Sequence, residues 1–572
     1  MSEIPMRPSA LKPVAALLVA VLLAFLGWWL PNRPVPLSNP FEGPIESVSF
    51  APYRGDQSPL TGNYPSDKDI AAALDALAGK AQGVRLYTAR EGMEQVPEMA
   101  KARGLKVFAG AWLGTVPRIN QSEVAGLIDL ANRYPDTIDR VIVGNEVLLR
   151  KDLSADQLIG FIRQVKAGVK QPVTYADVWE FWLMNPQVAQ EVDFITVHIL
   201  PYWEDNPLPI EQGNAHVDDI LNQVHAAFPG KPVVIGEIGW PSHGRQREAA
   251  VAGRVELARF ITEFLHKAKA EGIHYNVIEA FDQPWKSAQE GTVGANWGLF
   301  DADWKPKFDP RGPIVEEPRW LVGFAGAAVL AFLLLLSQRR RAAGMSFGRS
   351  LVAGAVLGLS AYAASRAGFE AWAYAYMPGP EAWAWVKAAL CLGVAMALVS
   401  AMFRMLADDR RVAIGGWVAA AGDIVLTLAF ALAFALGFLM VAGVTDNVLM
   451  PLLPETTIAR LWPILPVDGR YRDFPTVYLG LAAVAPVIVA LTAVLTGRDR
   501  LLDRLAFGRI FGSVERARPR GRSWFAAFAA LAFLALAAAT MIEDGPLNTQ
   551  AWVWSLCLIL FSLPFGARLA PR

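Results

Sequence analysis

The chain has 572 residues, of which 53% are hydrophobic and only 19% are charged, against about 25% charged residues in an average soluble domain. This composition excludes a disordered chain and argues against an entirely soluble protein. The 53 basic residues balance the 53 acidic ones, so no basic field points to nucleic acid, and the two cysteines exclude a disulfide scaffold.

The first apolar segment covers residues 13–30 and ends with two tryptophans. A cleavable signal peptide begins in a similar way, but no small-x-small cleavage site follows, so an uncleaved membrane anchor is the favoured interpretation. Residues 31–44 are rich in proline, which predicts a stiff linker. We therefore expect residues 1–44 to comprise a cytoplasmic start, a transmembrane anchor and this linker.

Residues 45–312 alternate short apolar runs with longer, charged stretches of helical pattern. Eight strands that alternate with helices predict a (β/α)8 TIM barrel. An open doubly wound sheet is the alternative, but the sequence has no Gly-rich phosphate loop after the first strand to favour it. The predicted strands are residues 47–52, 83–87, 105–109, 140–143, 173–176, 194–199, 232–236 and 275–280.

Residues 313–572 are strongly apolar and predict an all-α membrane domain of about seven transmembrane helices. Arginine-rich connections follow the second, fourth and sixth of the eight spans of the whole chain. The positive-inside rule therefore puts both termini in the cytoplasm and residues 45–312 on the outer side. The predicted spans in this region are residues 320–337, 348–366, 384–406, 417–444, 476–496, 523–541 and 551–567.

Two of the predicted barrel strands end in a glutamate. VIVGNEVL (141–148) brings Asn145 and Glu146 to the end of the fourth strand, and KPVVIGEIGWPS (231–242) brings Glu237 to the end of the seventh. TIM barrels build their active sites at these strand ends. Cleavage of a glycosidic bond needs two carboxyl groups, one to protonate the leaving oxygen and one to attack or to activate water. One such glutamate could cap a helix or form a buried ion pair, but two favour a glycosidase.

With these motifs, residues 45–310 resemble glycoside hydrolase family 17, the β-1,3-glucanase family of (β/α)8 fold. VGNE (143–146) is similar to the family's acid/base motif, and GEIGWPS (236–242) is similar to its nucleophile motif. The resemblance implies that Glu146 is the general acid/base and Glu237 the nucleophile of a retaining mechanism, with carboxyl groups about 5–5.5 Å apart. Glu146 must then stay protonated near neutral pH, through burial or the charge of Glu237.

The resemblance also implies sugar-binding residues around this pair, among them Asn145 as a partner of the sugar 2-hydroxyl. Tyr202 is expected to bond the nucleophile, with barrel-rim packing as the alternative. Lys286 is expected to bond a sugar hydroxyl or Glu237, with a solvated lysine as the alternative. The further candidates are Arg85, Tyr87, Trp179, Trp182, Trp203, Phe281, Trp285 and Trp297. The aromatic rings among them suit the C–H face of a sugar, although any one of these rings could instead belong to the core.

Several positions limit what the resemblance implies. Gln283 stands where the family commonly has an acidic residue, and residues 294–296 stand where it often has a glutamate. We therefore expect the sugar contacts beside the catalytic pair to differ from those of the family, so the resemblance does not extend to linkage preference or the choice of acceptor. His198 lies inside a predicted strand and is interpreted as a core histidine, with catalysis as the alternative. The spacing of His, Asp and Glu in the sequence indicates no metal site, so we predict neither metal nor cofactor.

Water or a sugar hydroxyl can resolve the glycosyl-enzyme of a retaining mechanism, so the motifs do not separate hydrolysis from transglycosylation. Eight spans favour remodelling of a glucan that emerges from a membrane synthase, because anchoring keeps the enzyme near that product. The chain resembles bacterial membrane-bound members of the family, described as β-glucan transglycosylases or (1→6)-β-glucan synthases. This implies the bacterial inner membrane, with the barrel on the periplasmic or extracellular side.

The leading function is therefore β-glucan transglycosylation, with β-glucan, the lipid bilayer and a membrane glucan synthase as expected partners. An endo- or exo-β-1,3-glucanase would use the same glutamates. A non-catalytic glucan-binding subunit would need one glutamate to be misplaced. A lipid-linked sugar transferase would need acidic residues at the outer face; residues 445–475 supply some, but a solvated loop explains them as well.

Overall fold

The computed structural model describes residues 11–37, 39–376, 378–407, 416–443, 472–508, 510–511 and 523–570. The chain divides into two compact units, Pro34–Val315 and a second unit made of Met1–Arg33 and Glu316–Arg572. The first unit includes part of the proline-rich segment, because Val35 and Ile314 exchange two backbone hydrogen bonds of 2.8 Å.

The first unit is a closed barrel of eight parallel strands in sequence order. β1 pairs with β2 and, through Val48 and Val277, also with β8, which closes the barrel. The predicted TIM barrel is thus confirmed, and the open doubly wound sheet is wrong. The strands are β1 (Ile45–Ser49), β2 (Ala81–Arg85), β3 (Lys106–Ala111), β4 (Ile138–Asn145), β5 (Val173–Val178), β6 (Ile195–His198), β7 (Val233–Ile238) and β8 (His274–Val277).

Helices alternate with the strands of the barrel and dominate the second unit. The helices around the barrel are α2 to α10, and the remaining helices belong to the second unit. In chain order they are α1 (Leu11–Trp29), α2 (Asp67–Leu77), α3 (Val96–Lys101), α4 (Pro117–Arg133), α5 (Ala155–Gly168), α6 (Trp179–Met184), α7 (Pro186–Glu191), α8 (Ile210–Ala227), α9 (Arg254–Glu271), α10 (Ser287–Gly294), α11 (Trp320–Ser337), α12 (Arg339–Gly344), α13 (Phe347–Ala373), α14 (Pro378–Leu406), α15 (Gly416–Gly443), α16 (Thr476–Leu495), α17 (Leu501–Leu505), α18 (Trp524–Asp544) and α19 (Thr549–Leu569).

Two of the barrel helices begin with a capping box. At the start of α2, the Ser66 side chain accepts from the Asp69 backbone N–H, and the Asp69 side chain accepts from the Ser66 N–H; Ser154 and Gln157 do the same for α5. An N-cap of this kind stabilises a helix by about 1 kcal/mol. The sequence therefore fixes where these helices start, and with them the lengths of the loops that follow the strands.

The barrel interior holds a set of paired polar side chains beneath the strand ends. Asn276 accepts from the Ser47 hydroxyl at 2.7 Å and donates to Ser49 at 2.8 Å and to the Gly236 carbonyl at 3.0 Å. A buried polar group costs free energy unless it is hydrogen-bonded, so these bonds favour one arrangement of the side chains. This polar layer connects β8 with β1 and with β7, the strand that carries Gly236.

Among the described residues, eight helices are long and apolar enough to cross a membrane, and they coincide with the eight predicted spans. They are α1, α11, α13, α14, α15, α16, α18 and α19. The charge pattern of the connections stays a prediction, because residues 408–415, 444–471 and 512–522 lie outside the described residues. The acidic residues of the 445–475 connection, except Asp473, lie outside them too.

Small residues let two of these helices approach closely. A Cβ at Gly354 of α13 would lie 2.5 Å from the backbone oxygen of Ala16 in α1, and one at Gly358 would lie 2.8 Å from that of Ala20. Backbones in such close contact are typical of helices that pack within a bilayer, where no water drives association.

Candidate active site

Glu146 and Glu237 lie at the carboxyl ends of β4 and β7. Glu237 is part of β7, whereas Glu146 follows the last residue of β4 and its backbone N–H donates to Ala176 of β5 at 2.8 Å. Glu146 has a φ of +51°, in the left-handed region that a non-glycine residue occupies at a cost of about 1–3 kcal/mol. The surrounding contacts must offset that strain, and they hold the Glu146 carboxylate against His198 of β6.

The two carboxylates face each other across the ring of His198, from β6. His198 Nδ1 lies 2.9 Å from Glu146 Oε1, and Nε2 lies 3.5 Å from Glu237 Oε1. One oxygen of each glutamate and one ring nitrogen all lie within 4.8 Å of one another. The structure thus brings together the two glutamates that the sequence analysis singled out, and it adds a histidine that we had assigned to the core.

Glu237 is almost fully buried and accepts two strong hydrogen bonds. Tyr87 Oη donates to its Oε1 at 2.9 Å, and Arg85 Nη1 donates to the same oxygen at 3.1 Å. Arg85 is itself 1% exposed and also donates to the Gly236 carbonyl at 2.7 Å and to Asn145 Oδ1. One guanidinium therefore connects Glu237 with the residue that precedes Glu146.

The pKa of Glu146 is lowered, which differs from the expectation of a carboxyl that stays protonated. Burial raises this pKa, but the hydrogen bond from His198 and the charges of His198, Arg150 and Arg85 together outweigh burial. The expected charge of Glu237 is therefore not the dominant influence. The physical reason for the difference is His198, which donates to the carboxylate and favours its ionised form.

Asp177 at the end of β5 is a buried acid that the sequence analysis did not single out. Its carboxylate accepts from the Tyr175 hydroxyl and, at 2.7 Å, from the Val178 backbone N–H. Burial raises the pKa of Asp177 to about 6, the Tyr175 bond opposes this, and the charge of Glu146 adds to the rise. Asp177 therefore places a second carboxyl behind Glu146.

A second missed group follows β8. Glu279 is 1% exposed, and Lys286 Nζ donates to both of its oxygens at 3.0 and 3.2 Å. Burial raises the pKa of Glu279 to about 7, against the opposing charge of Lys286. Lys286 thus pairs with Glu279 instead of Glu237, and it is not a solvated lysine. The rule that selected Glu146 and Glu237, a carboxylate at the end of a barrel strand, also selects Glu279 in the predicted strand 275–280.

The two departures from the family pattern have separate structural explanations. Gln283 is fully buried, donates to the Ala51 and Phe281 carbonyls at 2.5 and 3.0 Å and accepts from Trp285 Nε1 at 2.9 Å, so it braces a loop. Gly294 packs against Glu290, since a Cβ there would lie 2.2 Å from Glu290 Cβ. Burial raises the pKa of Glu290, and the charges of Glu146 and Glu237 add to the rise.

Tyr202 does not occupy the position that we expected. Its hydroxyl donates to the backbone carbonyl of Arg245, and its ring is fully buried against Trp203, Trp240 and Trp297. The hydroxyl that donates to Glu237 belongs to Tyr87. The rim-packing alternative therefore describes Tyr202, because the aromatic cluster directs its hydroxyl to the main chain.

The other aromatic candidates divide into exposed and buried rings. Trp182, Phe281 and Trp297 are at most 2% exposed, so they belong to the core instead of offering a face to a sugar. Tyr87, Trp179, Trp203 and Trp285 keep part of their surface accessible.

Trp112, which follows β3, offers a further ring that the sequence analysis missed. It is 40% exposed and carries the Arg150 guanidinium 4.3 Å from its ring centroid. Arg150 in turn donates to the Asn145 carbonyl, so this exposed ring connects through Arg150 with the residue before Glu146.

The spacing of Glu146, His198 and Glu237 is also one at which a metal ion can be held, which the sequence spacing did not reveal. Two features favour a hydrogen-bonded group instead. His198 Nδ1 already bonds Glu146, and the positive guanidinium of Arg85 lies 3.4 Å from His198 Nε2 and 3.1 Å from Glu237. That the site works without a metal stays a prediction.

Comparison with known proteins agrees with the barrel. Residues 47–298 match the model of the BtgE/BtgC glycoside hydrolase domain. The chain is 29% identical over 296 residues to a putative glucan endo-1,3-beta-glucosidase, btgC, of Aspergillus niger, covering 45% of this chain but only 41% of that protein. It is 27% identical over 262 residues to a glucan 1,3-beta-glucosidase of Saccharomyces cerevisiae, covering 42% of this chain and 83% of that protein.

Among solved structures, a glycoside hydrolase family 17 β-1,3-glucanosyltransferase from Rhizomucor miehei is 26% identical, with a TM-score of 0.41, over 46% of this chain and 95% of that chain. The predicted resemblance to bacterial membrane-bound enzymes and (1→6)-β-glucan synthases stays a prediction. The coarser resemblance is confirmed: residues 47–298 are similar to the glucan glycosidase domains of the BtgE/BtgC type.

Proposed function

We propose that the barrel acts on β-1,3-glucan by a retaining mechanism, with Glu146 as the general acid/base and Glu237 as the nucleophile. The observation that carries this proposal is that one oxygen of the Glu146 carboxylate lies within 4.8 Å of one oxygen of the Glu237 carboxylate. Inverting glycosidases keep their carboxyl groups about 6.5–9.5 Å apart to admit a water, whereas retaining enzymes bring them to about 5–5.5 Å. The names of the relatives, glucan 1,3-beta-glucosidases, supply the substrate class.

In the first step Glu237 attacks the anomeric carbon. Tyr87 and Arg85 both donate to Oε1 of Glu237 and so hold its carboxylate in one orientation. Glu146 gives its proton to the glycosidic oxygen as the carbon–oxygen bond breaks. The products are a glycosyl ester on Glu237 and a leaving glucan that carries the proton.

In the second step an acceptor hydroxyl attacks the same carbon from the face that the leaving group vacated. Glu146, now a carboxylate, takes the proton of that hydroxyl, and Glu237 leaves as a carboxylate. The lowered pKa of Glu146 suits this step, because a carboxylate that prefers its ionised form is ready to act as the base as soon as it has lost its proton.

We further propose that a sugar hydroxyl is the principal acceptor, so that the enzyme elongates a β-1,3-glucan or joins chains by β-1,6 linkages. Eight apolar helices support this, since they would hold the barrel at a membrane, near a glucan that leaves a synthase. In this proposal the helices span the bacterial inner membrane, both termini are cytoplasmic, and the barrel faces outward. Hydrolysis is the second candidate, and the names of the relatives favour it.

Product analysis of the full chain, purified in detergent, separates the two candidates. Given a laminari-oligosaccharide, a transglycosylase yields products longer than the substrate, and methylation analysis identifies the linkage formed. If only shorter products appear at every substrate concentration, the hydrolase is correct. If the oligosaccharide is bound but never cleaved, the chain is a non-catalytic glucan-binding subunit.

A further inference from the structure

The ring of His198 is fully buried, yet both of its nitrogens point at acids. Nδ1 is 2.9 Å from Glu146 Oε1, and Nε2 is 3.5 Å from Glu237 Oε1 and 3.4 Å from Arg85 Nη1. A histidine that only fills space would not direct both nitrogens at the two carboxylates of the proposed mechanism.

We propose that His198 is a positioning residue whose Nδ1–H holds Oε1 of Glu146, favours the base form of Glu146 and leaves Oε2 to carry the catalytic proton. This inference rests on the proposed function, since it assigns a task to His198 only if Glu146 acts in turn as acid and base.

The Glu146 carboxylate determines which atom of this bond carries the hydrogen. A carboxylate oxygen accepts and does not donate, so Nδ1 carries the hydrogen that it donates to Glu146 Oε1 at 2.9 Å. Nε2 faces two groups, Arg85 Nη1 at 3.4 Å and Glu237 Oε1 at 3.5 Å. The donor role of Nδ1 toward Glu146 therefore does not depend on how Nε2 is bonded.

The packing around His198 prevents the ring from turning away. A Cβ at Gly236 of β7 would lie 2.4 Å from Thr196 Cγ2 and 3.0 Å from His198 Cδ2, so only a glycine at this position lets β7 pass so close to β6. The registers of β6 and β7 pair His198 with Glu237 directly. The hydrogen bond to Glu146 is therefore built into the barrel and does not depend on a mobile loop.

Other charged and titratable groups around the pair do not replace this bond. Arg150, beyond β4, contributes its positive charge to Glu146, while the charge of Glu146 raises the pKa of Glu290 of α10. From β5, Tyr175 and Asp177 bond each other. From β2, Tyr87 and Arg85 bond Glu237 on β7. Among the described residues, His198 is thus the side chain that donates to the Glu146 carboxylate.

The bond from His198 has a different effect on each of the two steps. While Oε1 accepts from His198, a proton on Oε2 can still reach the glycosidic oxygen. Once that proton has gone, the bond stabilises the carboxylate that must take the acceptor's proton. His198 thus keeps Glu146 available as the base down to a lower pH, and it restricts the first step, which needs the protonated acid, to a lower pH.

Two variants of the full chain test this inference with phenyl β-glucoside as substrate, because its leaving oxygen still needs the proton of Glu146. His198→Phe keeps a ring in the cavity but has no donor, so we expect the alkaline limb of the pH profile of kcat/KM to move up by about one pH unit. On a dinitrophenyl glucoside, whose first step needs no proton, we expect the acidic limb of kcat to move up in the same direction, because the second step needs Glu146 as a carboxylate. His198→Asn keeps a neutral donor near the position of Nδ1, and its limb should stay close to that of the parent.

If the alkaline limb of His198→Phe stays where the parent's is, the inference is wrong. It is also wrong if His198→Phe and His198→Asn shift this limb equally, because a purely structural role would lower activity without a difference between the two variants. If His198→Phe does not fold, His198→Ala measured with and without added imidazole gives the same comparison, and imidazole should return the limb toward the parent. A parent chain that does not turn over the glucoside would contradict the proposed function, whereas an active parent with unmoved limbs contradicts only the role of His198.

Discussion

Glu146 and Glu237 occupy equivalent places in the barrel but very different surroundings. The Glu237 side chain is 5% exposed, lies within a strand and accepts from Tyr87 and Arg85. The Glu146 side chain is 23% exposed, follows its strand at a positive φ and accepts from His198. One carboxylate is enclosed by fixed donors, and the other lies against a titratable ring. The comparison teaches that surroundings, and not strand position, assign two identical side chains to different tasks.

The largest expected effect follows from removing the enclosed carboxylate. Glu237→Gln should lower kcat/KM at least about a thousand-fold, which corresponds to about 4 kcal/mol, because no group remains to attack the anomeric carbon. The control is Glu271→Gln at the exposed end of α9, which should retain parental activity. Sugar binding, measured by calorimetry, should persist in Glu237→Gln; an active Glu237→Gln would contradict the assignment.

Glu146→Ala should behave differently, and the leaving group is the probe. On an unactivated oligosaccharide we expect a loss of about 10²–10⁴-fold, since the leaving oxygen needs a proton. On a dinitrophenyl glucoside the first step needs no proton, so the loss should be smaller and added azide should give the β-glucosyl azide. An α-azide would mean that the roles of Glu146 and Glu237 are reversed.

A smaller effect separates Tyr87 from Tyr202, the residue that the sequence analysis favoured as the partner of the nucleophile. Tyr87→Phe removes a donor to Glu237 and should lower kcat about 10- to 100-fold, because a hydrogen bond to a charged group is worth about 1.5–3 kcal/mol. Tyr202→Phe loses a bond to a backbone carbonyl and should lower the melting temperature more than kcat. The reverse ranking in steady-state kinetics would restore the original assignment.

The smallest effect concerns the pH dependence of stability. The pKa of Glu279 is raised from 4.5 to about 7, so its contribution to stability is full below pH 4.5 and is lost as the pH rises through about 7. The melting temperature of the full chain should fall across this interval. Glu279→Gln should flatten that fall, and an unchanged slope would show that Glu279 is not the group responsible.

The sequence predicted the fold and the two glutamates for the same physical reason. Alternating strands and helices specify a barrel, and VGNE and GEIG place a carboxylate at the end of a strand, where a barrel must build its site. Glu279 also lies at the end of a predicted strand, so the same rule could have identified it from the sequence.

The hydrogen-bond partners of the site residues could not be predicted from the sequence. His198 pairs with Glu237 only through the register of β6 and β7, and register depends on the closed sheet. Tyr87 and Tyr202 both follow strands, and only their three-dimensional packing decides which hydroxyl contacts the nucleophile. Three-dimensional packing is also the reason that Lys286 pairs with Glu279 instead of Glu237.

Covalent trapping tests the central claim most directly. A 2-deoxy-2-fluoro-β-laminaribioside with a good leaving group forms the glycosyl-enzyme but slows its breakdown, because fluorine destabilises the positively charged transition state of both steps. Mass spectrometry of peptides from the inactivated full chain should find one added disaccharide on the peptide that contains Glu237. A label on any other residue, or no label on a chain that turns over the unfluorinated sugar, would contradict the account.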